Sequence, residues 1–323
     1  MSRFSRVSVV ATSSLAALTL AACSSSGGKQ PAEEGGGGGG GADTEQMTVA
    51  FITHAAPGDT FWDQVRAGAE AAAKKDNVDL QYTADPEGGN QARLVQQAVD
   101  KDVDGIAVTL AKPGAMQGNV SRAVEADIPV VALNAGLEEW KDMGVQSYFG
   151  QDEKIAGQAA GERLQEEGAG KTLCVIQEQG HVGLEDRCAG VKETFPQSEK
   201  IYVKGTDSSN VQSTITAKLQ QDDSITHVLT LGAPFAMLAL QSADQAGSDA
   251  QVVTFDLNDE AMQAIKDGDI GWAVDQQPWL QGYLAVDSLW MDVNQGMTMG
   301  GGEPVLTGPA FVDESNVDVL MEK

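Results

Sequence analysis

The chain has 323 residues, with 47 acidic against 21 basic side chains and a formal net charge of −26. That balance repels phosphate backbones, so nucleic-acid binding is excluded, and the general field does not steer an anionic ligand inward. The length supplies one large domain or two of medium size.

The first twenty-odd residues read as an export signal. Arg3 and Arg6 form a positive start, Val7 to Leu20 is a short apolar run, and Leu20-Ala21-Ala22-Cys23 closes it with a small-small-Cys cleavage pattern. The run is too short and too small-residued for a membrane-spanning helix. The reading is a lipoprotein signal peptide over 1–22, with Cys23 as the lipid acceptor that holds the mature protein on the outer face of a membrane, or in the periplasm. Residues 23–45 are Ser, Gly and acidic, with seven consecutive glycines from Gly35 to Gly41, and are expected to form a flexible tether.

The body alternates strand-like and helix-like segments. Met47–Ile52 reads as a buried strand. Phe61–Lys75 then carries Trp62, Val65, Ala69 and Ala72 at helical spacing. Strands are expected at 79–83, 105–110 and 129–133, with helices at 91–101 and 115–126 between them. The rhythm restarts with helices at 155–167, 185–195, 211–221 and 235–246 and strands at 171–178, 227–231 and 252–255. Two successive α/β runs predict two similar lobes, each a doubly wound parallel sheet with helices on both faces. Ligands of such sheets bind outside the carboxyl ends of the strands, so the chemistry belongs to the loops that follow them.

Motifs for other chemistries fail on inspection. Gly168-Ala169-Gly170-Lys171-Thr172 looks like the end of a phosphate-binding loop, but position 165 is Gln and the run precedes a strand. Asp256-x-Asn258-x-Glu260 begins like a calcium loop, yet Ala261 stands where the turn needs Gly. No nucleophile elbow or Ser/His/Asp set is visible, and His54, His181 and His227 share no metal-ligand spacing with the cysteines. No metal, cofactor or catalytic residue is expected. With Cys23 lipidated, Cys174 and Cys188 remain as a pair in an oxidising compartment, and a disulfide between them is the favoured state over two buried thiols.

Five ordered segments carry a resemblance that covers about Met47 to Val319. They are Val49–Ile52 leading to Phe61-Trp62, Val103-Asp104-Gly105-Ile106, Ile128–Asn134, Asp186–Gly190, and Thr254-Phe255-Asp256 with Asp275-Gln276-Gln277-Pro278. The chain resembles the periplasmic sugar-binding proteins of the ribose-binding type, the solute receptors of ABC importers. The resemblance implies two lobes joined by a three-crossover hinge, the type I periplasmic binding protein fold. The first lobe is expected over 47–150 plus 277–304, the second over 151–276 plus 305–323, and the crossings near Gly150, Gln276 and Pro304.

It also implies a binding site. Phe61 and Trp62 match aromatic rings that cover the apolar face of a sugar, and Asp59 or His54 lies near a polar contact. Asn134, Arg187, Asp256 and Gln276 match amide, guanidinium and acidic contacts, with Asp207 a weaker match. Gly232-Ala233-Pro234-Phe235 departs from the Asn-Asp pair of many relatives, so Phe235 points to a ligand other than ribose, such as an open-chain polyol or a modified sugar. The implied partners are a small sugar or polyol and an ABC permease, the membrane entering only through lipid on Cys23, with the receptor a monomer and not an enzyme. A sensory module that presents its ligand to a membrane kinase or chemoreceptor is the alternative, ahead of an exported sugar-modifying enzyme.

Overall fold

The computed structural model describes residues 42–322. The expected signal peptide, Cys23 and the glycine run lie outside the described residues. Residues 42–45, expected as the end of the tether, are instead docked on the body. Ala42 N donates to Lys75 O at 2.7 Å, Asn77 Nδ2 to Thr44 O at 2.8 Å, and Trp290 Nε1 to Thr44 Oγ1 at 3.3 Å.

The first half of the body runs β1 (Met47–Thr53), α1 (Phe61–Asp76), β2 (Val78–Ala84), α2 (Gly88–Asp100), β3 (Gly105–Thr109), α3 (Pro113–Glu125), β4 (Val130–Leu133) and β5 (Ser147–Gly150). The second runs α4 (Glu153–Glu166), β6 (Lys171–Ile176), α5 (Val182–Thr194), β7 (Ser198–Tyr202), α6 (Ser208–Gln221), β8 (Ile225–Thr230), α7 (Ala233–Ala246), β9 (Gln251–Phe255), α8 (Asp259–Lys266) and β10 (Ile270–Asp275). The chain then forms α9 (Pro278–Gln295), β11 (Val305–Leu306), β12 (Ala310–Val312) and α10 (Val317–Met321).

These strands build two six-stranded sheets, ordered β11-β5-β4-β3-β1-β2 and β12-β10-β9-β8-β6-β7. The first is wholly parallel, and the second is parallel except for β12, which pairs antiparallel with β10. The two-lobed α/β architecture expected from the strand–helix rhythm is therefore present. Successive side chains point to opposite faces and helices cover both, so central strands such as β3 and β4 are apolar on both faces. In β6, Leu173 and Val175 enter one core with Val228 and Ile215, while Cys174 and Ile176 enter another with Phe255 and Trp272.

The chain passes between the sheets three times, after β5, after β10 and after β11. The third passage differs from the expected one near Pro304. Val305 and Leu306 pair with Phe149 and Gly150 in the first sheet, so the chain leaves that lobe only between Leu306 and Ala310. A two-residue edge strand carries no periodicity by which sequence could place it.

Each lobe also has one pair of helices in close approach. A Cβ on Gly68 in α1 would lie 1.9 Å from Trp279 O of α9, and one on Gly190 in α5 would lie 2.2 Å from Lys154 O of α4. Cys174 and Cys188 are bonded, with Cα atoms 5.9 Å apart, and tie α5 to β6.

Candidate functional site

The carboxyl ends of the two sheets face each other, and the loops that follow the strands meet there. Asn134 follows β4 and Asp256 follows β9, and both adopt left-handed backbone, with φ of 67° and 65°. Asn134 N donates to Phe149 O at 2.9 Å and Asp256 N to Val274 O at 2.8 Å, so the two lobes place these residues in equivalent positions. Asn and Asp tolerate this conformation better than other side-chain-bearing residues, which accounts for the residue types found at both points.

A continuous polar chain crosses the hinge between them. Asn134 Nδ2 donates to Gln276 Oε1 at 3.1 Å, and Gln276 Nε2 donates to Asp256 Oδ1 at 2.6 Å. Gln281 Nε2 also donates to Gln276 Oε1 at 2.9 Å and to Gln276 O at 3.0 Å. Asp256 Oδ2 stands 3.6 Å from Arg187 Nη1. Arg187 in turn grips Glu153 with Nε at 2.5 Å and Nη2 at 3.0 Å, and donates from Nη1 to Leu231 O at 3.1 Å. The guanidinium also lies over the Phe255 ring, 4.6 Å from its centroid. Asn134, Glu153, Arg187, Asp256, Gln276 and Gln281 are all buried.

The electrostatics follow from this burial. Asp256 is pushed up to about 7, because desolvation outweighs the opposing pull of Arg187 and of the Gln276 hydrogen bond. Burial alone would weaken the Arg187 charge, but Glu153 and Asp256 more than offset it and keep the guanidinium protonated. Asp59, in the β1–α1 loop, is raised by burial and bonded by Phe61 N at 3.1 Å.

The opposite wall is aromatic. Trp62 and Phe61 meet edge to face at 5.1 Å, and Trp62 meets His54 at 4.7 Å. His54, at the end of β1, bonds through Nδ1 to Thr109 Oγ1 at 2.7 Å. His181, the N-cap of α5, approaches His54 with Nε2 atoms 3.0 Å apart. Lys112 pairs with Glu178 at 2.9 Å, Val182 N donates to Ala111 O at 3.1 Å, and Gln64 Nε2 donates to Leu257 O at 3.4 Å. Gln177 donates from Nε2 to Leu231 O at 3.4 Å and leaves its buried Oε1 without a protein partner.

Of the residues singled out in the sequence, Asp59, Phe61, Trp62, Asn134, Arg187, Asp256 and Gln276 converge on this cleft. Asp207 does not enter the network. It is exposed and caps α6, accepting from Asn210 N at 3.1 Å. Phe235 is half-buried over Gly205 and Gly232 and packs against the second lobe's core. Arg187 pairs with Glu153, not with its neighbour Glu185, which instead holds Lys200 and Tyr202. Sequence reasoning missed Glu153, Gln281 and the meeting of His54 with His181. Glu153 looked like an ordinary acidic first-turn residue, and the two histidines are 127 positions apart.

Comparison with known proteins identifies the family. The model of the periplasmic binding protein domain matches residues 49–296. The crystal structure of a carbohydrate transporter from Acidothermus cellulolyticus 11B, in complex with myo-inositol, is 54% identical with a TM-score of 0.85. It covers 86% of this chain and 97% of that one. The ribose import binding protein RbsB of Bacillus subtilis (strain 168) is 25% identical over 235 residues, 71% of this chain and 76% of that protein. A xylitol-binding protein of Mycolicibacterium smegmatis is 25% identical over 279 residues, 81% of this chain and 76% of its own. On the matched family model, these relatives and the shared two-lobed fold, the chain belongs to the periplasmic binding protein family, as a solute-binding protein of the sugar ABC-transporter type and not an enzyme.

Proposed function

We propose that the protein captures a neutral cyclic polyol of the inositol class between its lobes and delivers it to an ABC permease. The observation that carries this reading is the pairing of every cleft cation named above. Arg187 is taken up by Glu153 and Asp256, and Lys112 by Glu178. No unbalanced cation is left for a phosphate or carboxylate, whereas Asn134, Gln276, Gln177 and Asp256 offer the mixed donors and acceptors that hydroxyl groups need. Trp62 and Phe61 supply an apolar surface for ring C–H groups. The myo-inositol complex of the 54% identical relative supports the same ligand class. Phe235 in place of a polar pair agrees with a ligand other than ribose.

The ligand contacts both lobes only when they are closed, so its binding free energy shifts the equilibrium toward the closed form that a permease recognises. In this reading Cys23 carries lipid, the glycine run gives reach, and the receptor works as a monomer. Calorimetric titration with myo-inositol, xylitol, ribose and myo-inositol monophosphate tests the ligand class. Myo-inositol should bind and, at about 100 times its Kd, stabilise the fold by about 2.7 kcal/mol. Binding of ribose or of the phosphate in its place overturns the proposal.

A further inference from the structure

Gln281 stands at the end of the first turn of α9, wholly buried beside the second crossing between the lobes. Its Nε2 lies 3.0 Å from Gln276 O, 2.9 Å from Gln276 Oε1 and 3.1 Å from Thr307 Oγ1. Thr307 belongs to the third crossing. Its Oγ1 donates to Gln276 O at 2.7 Å, and its N donates to Gly150 O, at the end of β5, also at 2.7 Å. One side chain therefore touches two of the three crossings directly and reaches the first through Thr307. On its other side, Asn134 Nδ2 stands 3.4 Å from Gln281 Oε1.

These contacts fix the direction of the hydrogen bonds. A backbone carbonyl only accepts, so the Gln281 atom that faces Gln276 O is the nitrogen and not the oxygen. Two amide nitrogens cannot bond each other, so the Gln276 atom met at 2.9 Å is the oxygen. The Gln276 nitrogen is thereby turned to Asp256 Oδ1, at 2.6 Å. The same Gln276 oxygen takes the Asn134 nitrogen at 3.1 Å, which leaves Asn134 Oδ1 as an acceptor outside this chain. Without Gln281 the amides of Gln276 and Asn134 can turn over together, so that Gln276 accepts from a protonated Asp256 carboxyl. Gln281 and Gln276 are five positions apart, and Asp256 and Gln276 follow the paired strands β9 and β10, so this relay does not need closed lobes.

We propose that Gln281 is a positioning residue of the binding site: it holds Gln276 as a donor to Asp256 and so keeps that carboxyl, together with Asn134 Oδ1, ready to accept from ligand hydroxyls. The inference rests on the hinge cleft as the ligand site, as read above, but not on the identity of the polyol. The charged groups facing Asp256 are Arg187 on α5, Glu153 on α4 and Asp59 before α1. Burial is the largest effect on this carboxyl and raises it, with Glu153 and Asp59 adding to it, whereas Arg187 and the Gln276 bond lower it. Loss of the fixed donor removes one of the two lowering influences, so the carboxyl should hold its proton to higher pH.

Carbon NMR of ligand-free protein labelled at the aspartate carboxyl carbon tests this role, with Asp256→Asn identifying the signal and far-UV circular dichroism confirming the fold. In Gln281→Met, which keeps the buried volume, the Asp256 titration midpoint should move upward by about one pH unit, the share of a hydrogen bond to a charged group. In a Gln276→Met background the same substitution should leave the midpoint in place, because the effect passes through Gln276. Gln281→Asn falls one methylene short of Gln276 and should give the same upward movement, so it carries the test where the methionine variant does not fold. An unmoved midpoint in the folded variant, or an equal movement with the Gln276 amide removed, would overturn the proposal. With myo-inositol as probe, calorimetry should show about tenfold weaker binding in the same variant, and wild-type affinity there would also overturn it. A wild type that binds no myo-inositol would refute the ligand class proposed above, and the titration would then decide the role of Gln281 alone.

Discussion

Replacing Arg187 by Met tests whether the polar chain at the hinge is held together as one unit. Arg187 makes two bonds to Glu153, one to Leu231 O and an ion contact to Asp256, with both carboxylates buried. The substitution keeps an apolar stem over Phe255 but leaves Glu153 with only the Gln151 Nε2 bond at 2.8 Å, and Asp256 with only Gln276. Breaking one side of a buried pair costs about 3–5 kcal/mol, chiefly because the stranded charge stays desolvated. At roughly 2–4 °C per kcal/mol for a protein of this size, the thermal midpoint should fall by about 6–20 °C. Glu153→Gln in the same background removes the stranded charge, and it should recover a substantial part of that loss. Thermal unfolding of the wild type, both single variants and the double variant gives the coupling directly. A loss below about 1 kcal/mol for Arg187→Met, or a double variant no more stable than the single one, would refute the reasoning.

Asp256 is raised above its unfolded value, so the native state keeps this proton while the unfolded chain loses it. Its stabilising contribution is full below about pH 4 and declines as pH rises toward about 7. The thermal midpoint of the wild type relative to Asp256→Asn should therefore fall across that window, and a flat difference would show that the carboxyl is not perturbed. Gly190→Ala places a methyl 2.2 Å from Lys154 O and should cost about 1–3 kcal/mol by forcing α4 and α5 apart. An unchanged midpoint would mean the helices yield freely. Replacing Cys174 and Cys188 together by Ala should cost about 3 kcal/mol, the loop-closure value for their separation of 14 residues. A loss under about 1 kcal/mol would show that reduced and oxidised chains fold equally well.

The repeated strand–helix rhythm made the fold legible, since apolar runs such as Val49–Ile52 and Val130–Leu133 are buried on both faces. Among the elements that escaped, α8, β10 and α9 lie after Phe255, where the predicted elements stop, and three others have no run to detect. β5 is four residues long, β7 is an edge strand with Glu199 and Lys200 in it, and β11 has only two residues. The cleft residues could be placed only through resemblance, because each is a lone polar residue after a strand. Glu153 and His181 gave no signal at all, since an acid in a first helical turn and a residue before a helix are ordinary capping features. Their importance depends on tertiary contacts with Arg187 and His54, which no local pattern encodes.

The late position of α9 bears on the order in which the molecule can be built. Ala285, Val286 and Leu289 of this helix complete the core that also holds Phe51, Leu133 and Phe149 of the first lobe. During synthesis the first five strands emerge long before the helix that covers one of their faces. A chain stopped after Gln276 should therefore bind a hydrophobic dye that the finished protein excludes; equal exclusion would contradict this order. The sequence that begins the first lobe cannot finish it, and one face of the first sheet keeps its apolar side chains uncovered until α9 has been made.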